Sequence, residues 1–223
     1  MIRFILWLGF LLSGVSLAFA HPHVWLQAKA DLIFDDDNNF VAVRHTWEFD
    51  EGFSAFATQG LDENGDGKFS REELAELASI NVDSLKDFEY FTFVQIGEKD
   101  PPYEAPTDQW LEYNDGLLTL RYTLNMEKPV APDPVKGFQE LTVEVFDATF
   151  FVDVAFVEKN AVSTASLGGG ETACTASLER RKELDIIQSQ LLSEIPATET
   201  VPEELAPEVG DLSNTIRITC PSS

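Results

Sequence analysis

Between Val24 and Phe34 the chain alternates. Val24, Leu26, Ala28, Ala30, Leu32 and Phe34 fall on one face, and His23, Gln27, Lys29 and Asp31 on the other. Phe40 to Phe49 repeats the pattern, with Val41, Val43, His45, Trp47 and Phe49 on its apolar face. A period of two marks a half-buried strand, and Asp35-Asp36-Asp37-Asn38 between the two runs is a short hairpin loop rich in turn formers. Opposed residues of an antiparallel pair share a face, so the apolar sets meet only if Phe34 faces Asn39, or in a register shifted by two. The first register brings Leu26 to Trp47, Ala28 to His45 and His23 to Asp50.

Residues 51–88 change period. "EGFSAFATQGL" reads as a short helix with Phe53 and Phe56 on one side, followed by a polar loop, a helix from Ser70 to about Ile80 and a short helical piece from Val82 to Phe88. Strand-like runs return in "YFTFVQI", "QWLEYN", "LLTLRYTL" after Asp115-Gly116, "ELTVEVFD" and "FFVDVAFVE". Residues 180–195 look helical. The acidic, proline-rich "SEIPATETVPEELAPEVGD" has little to bury and reads as a mobile loop, before "NTIRITCP" closes the chain as a last strand. The fold expected is mostly β: an antiparallel β-sandwich-like domain, 21–179, with a helix-loop-helix insertion at 51–80. An acidic helical and proline-rich insertion follows at 180–212, and 213–223 supply the last strand and tail.

Met1 to Ala20 carries one early charge at Arg3, an apolar run from Phe4 to Leu12, and Ala18-Phe19-Ala20. That is the layout of a secretory signal peptide cleaved after Ala20, which places the mature chain in the periplasm with His21 at its N-terminus. The mature 203 residues (223 less 20) can bury one sizeable core, and nothing else in them could span a bilayer. Removing Arg3 takes the formal charge from −24 to −25. Nucleic acid and anionic membrane surfaces would be repelled, and cations are the natural partners. Cys174 and Cys220 are the two cysteines, and in an exported chain an even pair points to a disulfide.

"DENGDGKFSREE", Asp62 to Glu73, matches the twelve-residue EF-hand loop at each position that the chemistry constrains. Asp62, Asn64 and Asp66 supply side-chain oxygens at positions one, three and five. Lys68 offers its carbonyl at seven, Ser70 stands at nine, and Glu73 closes bidentately at twelve. Gly67 permits the sharp turn and Phe69 anchors the loop. A plain interhelical turn with a Ser70–Glu73 capping box explains only two of these residues. The implied cofactor is Ca2+ in a structural role, since no second loop is present to pair with this one.

His21-Pro22-His23 would stand at the mature N-terminus, where two imidazoles and a free amine form a nitrogen set suited to Ni2+, Co2+, Zn2+ or Cu2+. Pro22 has no amide proton, so the amino-terminal copper and nickel motif that needs two deprotonated amides is blocked. The competing reading is an N-terminal turn with incidental histidines. His45, the third histidine, lies on the apolar face about five residues along the hairpin, roughly 17 Å away at strand rise, and reads as a hydrogen-bonded core residue. Asp50 falls opposite His23 as an oxygen donor, and could equally cap the helix that starts at Glu51.

The HPHVW after a signal peptide, "TWEFDEGFSA", the embedded EF-hand-like loop, "SLKDFEYFTFVQIG", "LEYNDGLLTLRYTL", "VEVFDATFFV" and the terminal "CP" resemble the bacterial periplasmic family called domain of unknown function 1007. The resemblance covers the mature chain except the insertion near 180–210, and its members are often labelled periplasmic components of an ABC-type transport system. It carries His21 and His23, the block Trp47 to Glu51 and Asp147 over to this sequence, making Asp147 a second candidate oxygen donor. It implies an accessory or metal-receiving protein for nickel, cobalt or zinc transport, with an inner-membrane metal permease as partner. Two other readings stand beside it: a calcium-stabilised, non-enzymatic interaction module with idle histidines, and a copper-dependent oxidoreductase using His21. No Ser-His-Asp set, thiolate nucleophile or phosphate-binding loop is present.

Overall fold

The computed structural model describes residues 22–132, 141–196, 199–205 and 211–220. The expected signal peptide 1–20, His21, residues 197–198 and 206–210 of the expected insertion, and the tail 221–223 lie outside the described residues.

β1 (Val24–Phe34) and β2 (Phe40–Phe49) form the expected hairpin, but in the other register. Leu26 pairs with Phe49, Ala28 with Trp47 and Ala30 with His45. The cause lies in the turn. The Asp35 carboxylate accepts the amides of Asp37 and Asn39 and the side-chain amide of Asn39, and this wide turn sets Phe34 against Phe40. Continued along the hairpin, that pairing would oppose apolar residues of one strand to polar residues of the other. An irregularity between Ile33 and Phe34 slips the register by one and brings the two apolar faces together. Ile33 and Phe34 are both buried at the bulge, where strict alternation would bury one.

The larger sheet runs β4 (Thr107–Asn114), β5 (Leu117–Val130), β2, β1, β7 (Val152–Phe156), and β8 (Val162–Ser166) also pairs with β1. Asp115 and Gly116 both have positive φ, 51° and 88°, as a two-residue hairpin turn between β4 and β5 requires. The smaller sheet runs β3 (Thr92–Ile96), β6 (Leu141–Val145), β10 (Asn214–Thr219), β9 (Thr175–Glu179). Leu26, Trp47 and Leu120 of the first sheet share one core with Val143 and Ile216 of the second. The fold is thus mostly β, with two sheets rich in antiparallel pairing. Two departures from the expectation stand out: β7 and β8 run parallel to β1, and β8 and β9 lie where no strand was anticipated.

The insertion after β2 holds α1 (Glu51–Ala57) and α2 (Ala75–Leu85). Fully buried Ser54 ties α1 to the larger sheet, its hydroxyl accepting the Leu118 amide at 2.9 Å. The second helix begins at Ala75 rather than Ser70 and runs unbroken through the junction expected near Ile80. A tight helical turn, Lys86–Phe91, follows, with Glu89, Tyr90 and Phe91 all at positive φ. α3 (Ile186–Ser193) opens with a reciprocal Asp185–Gln188 capping box. The stretch expected to have little to bury, residues 193–211, does bury Ile195, which packs with Leu192 of α3 and Phe150, with Val201 and Leu205 partly buried in the same cluster, and the Val201 amide donates to the Ala148 carbonyl. Cys174 and Cys220 are bridged across 46 residues of chain.

Candidate metal sites

The loop Asp62–Glu73 joins α1 to α2, and its side-chain oxygens fold back on its own backbone. Asp62 Oδ1 and Oδ2 accept the amides of Asp66 and Gly67 at 3.1 and 3.0 Å. Asn64 Oδ1 accepts the Asp66 amide and Asp66 Oδ1 the Lys68 amide, each at 2.8 Å. Gly65 and Gly67 take φ of 71° and 78°, the left-handed region where a Cβ is penalised. Glu73 spans the loop: Oε1 accepts the Glu63 amide at 3.2 Å and Oε2 the Ser70 amide at 2.8 Å. The Ser70 amide, then the Ser70 hydroxyl, hold the Glu73 carboxyl below its ordinary pKa. The Glu73 amide in turn donates to Ser70 Oγ, so Ser70 and Glu73 bond reciprocally as a capping pair would, but ahead of α2, whose own N-cap Leu74 has no side-chain cap. Phe69 packs edge-on against Tyr113 of β4, with centroids 4.8 Å apart, and Leu74 is fully buried.

This donor set suits Ca2+: hard oxygens from carboxylates, an amide, a hydroxyl and a carbonyl, on a loop turned by two glycines. Asp62, Asn64, Asp66, Ser70 and Glu73, with the Lys68 carbonyl, would hold it. Among the described residues no three histidine, cysteine, aspartate or glutamate side chains are grouped so as to hold a metal ion. Asp62, Asp66 and Glu73 of the loop are thus not drawn together into such a group.

At the other candidate site, β1 enters the sheet beside β7. The His23 amide donates to the Phe151 carbonyl at 2.8 Å, and the exposed His23 ring stacks on Phe151 with centroids 4.9 Å apart. The expected His23–Asp50 pairing is corrected by the register. Asp50 faces Trp25, accepting the Trp25 amide at Oδ2 and capping α1 through the Phe53 amide at Oδ1, both at 3.0 Å. Asp147 is buried, and its carboxylate is also engaged. Oδ1 accepts the amide and hydroxyl of Thr149, and Oδ2 the Val152 amide. That turn sets up the Phe151 carbonyl on which His23 rests. Phe151 and Thr149 were not singled out from the sequence, although "DAT" within "FDATFF" has the spacing of a side-chain-closed turn.

His45 is fully buried, stacked on Tyr122 with its edge toward Trp47. Nε2 lies 3.1 Å from Thr92 Oγ1. The Thr92 hydroxyl spends its proton on the Tyr90 carbonyl, so the ring must donate from Nε2 and Nδ1 carries the lone pair. Burial pushes its pKa down to about 3. Because Ala30 is its partner, His45 sits seven residues along the hairpin from His23, not five, or roughly 23 Å at strand rise.

The sequence profile of the family described as "Protein of unknown function (DUF1007)" matches residues 6–220, and the chain belongs to that family. An "Uncharacterized 15.5 kDa protein in trpE 3'region" of Spirochaeta aurantia is 32% identical over 111 residues, which are 49% of this chain and 75% of that protein.

Proposed function

We propose that this family member is an exported divalent-metal-binding protein. Its loop 62–73 holds one Ca2+ as a structural clamp, and His21 and His23 at a processed N-terminus receive nickel, cobalt or zinc for an inner-membrane permease. The observation that carries the reading is the closed geometry of Asp62–Glu73, where the side-chain oxygens at positions one, three, five and twelve already bend toward the loop's own amides. The formal charge of −24 adds a general attraction for cations. His23 supports the second part: it is exposed at the start of a strand and held by its own amide, so its imidazole stands on a rigid element beside the N-terminus.

A second reading has its own support. Asp50 and Asp147 both spend their carboxylates on backbone amides, which suits a calcium-stabilised interaction module with idle histidines. For the copper-dependent alternative, His45 in the core offers no second imidazole near His23.

Metal analysis of processed, untagged protein, followed by calorimetric titration with Ni2+, Zn2+ and Cu2+, tests the proposal. One Ca2+ and one transition metal per chain are expected. Adding one alanine before His21 should weaken transition-metal binding at least about tenfold, because the amine leaves the chelate. Calcium without any transition metal would favour the interaction module, and equal affinity with and without the alanine would overturn the free-amine port.

A further inference from the structure

A cleft of about 840 Å³ opens beside β3, between the end of α2, the turn Lys86–Phe91 and the strap 100–106. The strap is fixed on both sides. The Glu104 amide donates to the Asn125 carbonyl of β5, and the Glu127 amide of β5 to the Pro102 carbonyl, each at 2.9 Å. The Tyr103 hydroxyl donates to the Thr92 carbonyl and accepts the Val94 amide of β3, at 2.8 and 3.0 Å. A second tyrosine in the lining keeps its hydroxyl unspent. Tyr90 is only 9% exposed and belongs to the core. The hydrogen bonds from Thr92 and Tyr122 go to its carbonyl, and its hydroxyl has no partner among the described residues. Four carboxylates, Asp83, Glu89, Asp100 and Glu104, line the cleft against one cation, Lys86. None of these five is in an ion pair among the described residues.

Burial, and then the charges of Asp83 and Glu89, raise the Tyr90 phenol above its ordinary pKa. Burial raises that of Tyr103 too, with Glu89 and Asp100 adding to it. Negative charge is therefore felt at both hydroxyls, along the wall rather than at one point. Among the described residues no three of these carboxylates are grouped so as to hold a metal ion, so the spread charge suits an extended cation. An anion would be repelled by it. The volume falls within the range of ordinary small-molecule sites, about 300–1,000 Å³. Pro101 and Pro102 offer apolar wall to a methylene chain. A phenol that is neutral at pH 7 can accept an ammonium N–H while its own proton goes to a neighbouring carboxylate. We infer that this cleft binds a linear aliphatic polyamine, its ammonium groups at the carboxylates and one of them donating to the Tyr90 hydroxyl. The inference does not rest on either metal site.

Spermidine and 1,8-octanediol have chains of equal length and differ in charge, which makes them suitable probes for the processed chain by calorimetric titration. About 0.1 M salt screens the diffuse charge of the acidic surface, and excess Ca2+ competes for loop 62–73. One saturable site is expected for spermidine, with the diol at least about tenfold weaker. Asp83→Asn with Glu89→Gln should weaken spermidine about fivefold, and Tyr90→Phe about threefold, with circular dichroism confirming the fold. If either variant does not fold, Asp100→Asn with Glu104→Gln removes the charge of the strap instead and should also cost about fivefold. Glu203→Gln with Glu204→Gln, an exposed acidic pair outside the cleft, should leave affinity within about twofold. Failure of spermidine to saturate a site, equal affinity for the diol, undiminished affinity in a folded cleft variant, or an equal loss in the Glu203 and Glu204 control would each overturn the assignment.

Discussion

The guanidinium of Arg71 lies over the indole of Trp110, 3.8 Å from the ring centroid. Arg71 stands inside the twelve-residue loop and Trp110 on edge strand β4, and Arg121 of β5 approaches the same ring at 4.9 Å. Any rearrangement of the loop on ion binding is thereby coupled to a tryptophan.

Calcium should therefore change tryptophan fluorescence and raise thermal stability together. At about 100 times Kd the linkage is about 2.7 kcal/mol, or roughly 5–10 °C in Tm for a chain of this size. Glu73→Gln should abolish both responses, and Trp110→Phe should remove the optical change while keeping the shift in Tm. A full calcium response in Glu73→Gln would contradict the assignment of the loop.

Asp147→Ala should destabilise the fold by about 3 kcal/mol, since it strands the Val152 amide and the Thr149 groups at a buried turn. Urea unfolding measures this. A loss under about 0.5 kcal/mol would mean that the turn holds without its carboxylate.

His45 predicts an acid-sensitive core. Its folded pKa of about 3 lies below the ordinary 6.5, so the folded state resists protonation while the unfolded chain accepts it. The stability it supplies is complete above pH 6.5 and is lost as pH falls from 6.5 toward 3. Between pH 7.5 and pH 5 the loss should be about 2 kcal/mol by denaturant titration, and His45→Phe should flatten that segment of the profile. An identical slope in the variant would refute the argument.

Cys174→Ser with Cys220→Ser should cost about 4 kcal/mol, the chain-entropy value for a loop of 46 residues. Native protein alkylated after unfolding without reductant should show no free thiol. Two reactive thiols would rule out the bridge.

What the sequence by itself determined is what depends on local period and local chemistry. Alternation from Val24 to Phe34 and from Phe40 to Phe49 is enough to specify two half-buried strands. Asp115-Gly116 marks a hairpin turn. The spacing from Asp62 to Glu73 puts polar side chains and glycines where a tight loop is expected, and Asp62, Asn64, Asp66 and Glu73 accept amides of that same loop. The capping role of Asp50 was also readable, because it needs only the three residues that follow. Tertiary structure decided the rest. Two registers satisfied the hairpin's faces equally, and the choice came from how the Asp35 carboxylate wraps Asn39 and the bulge this forces at Ile33. The parallel pairing of β1 with β7 and β8 joins segments more than 100 residues apart, and no local period records which strand edge is free to receive them. The same is true of Asp147, whose carboxylate resembles a ligand in the sequence. Only the fold turns the Val152 amide onto it and places the Phe151 carbonyl under His23.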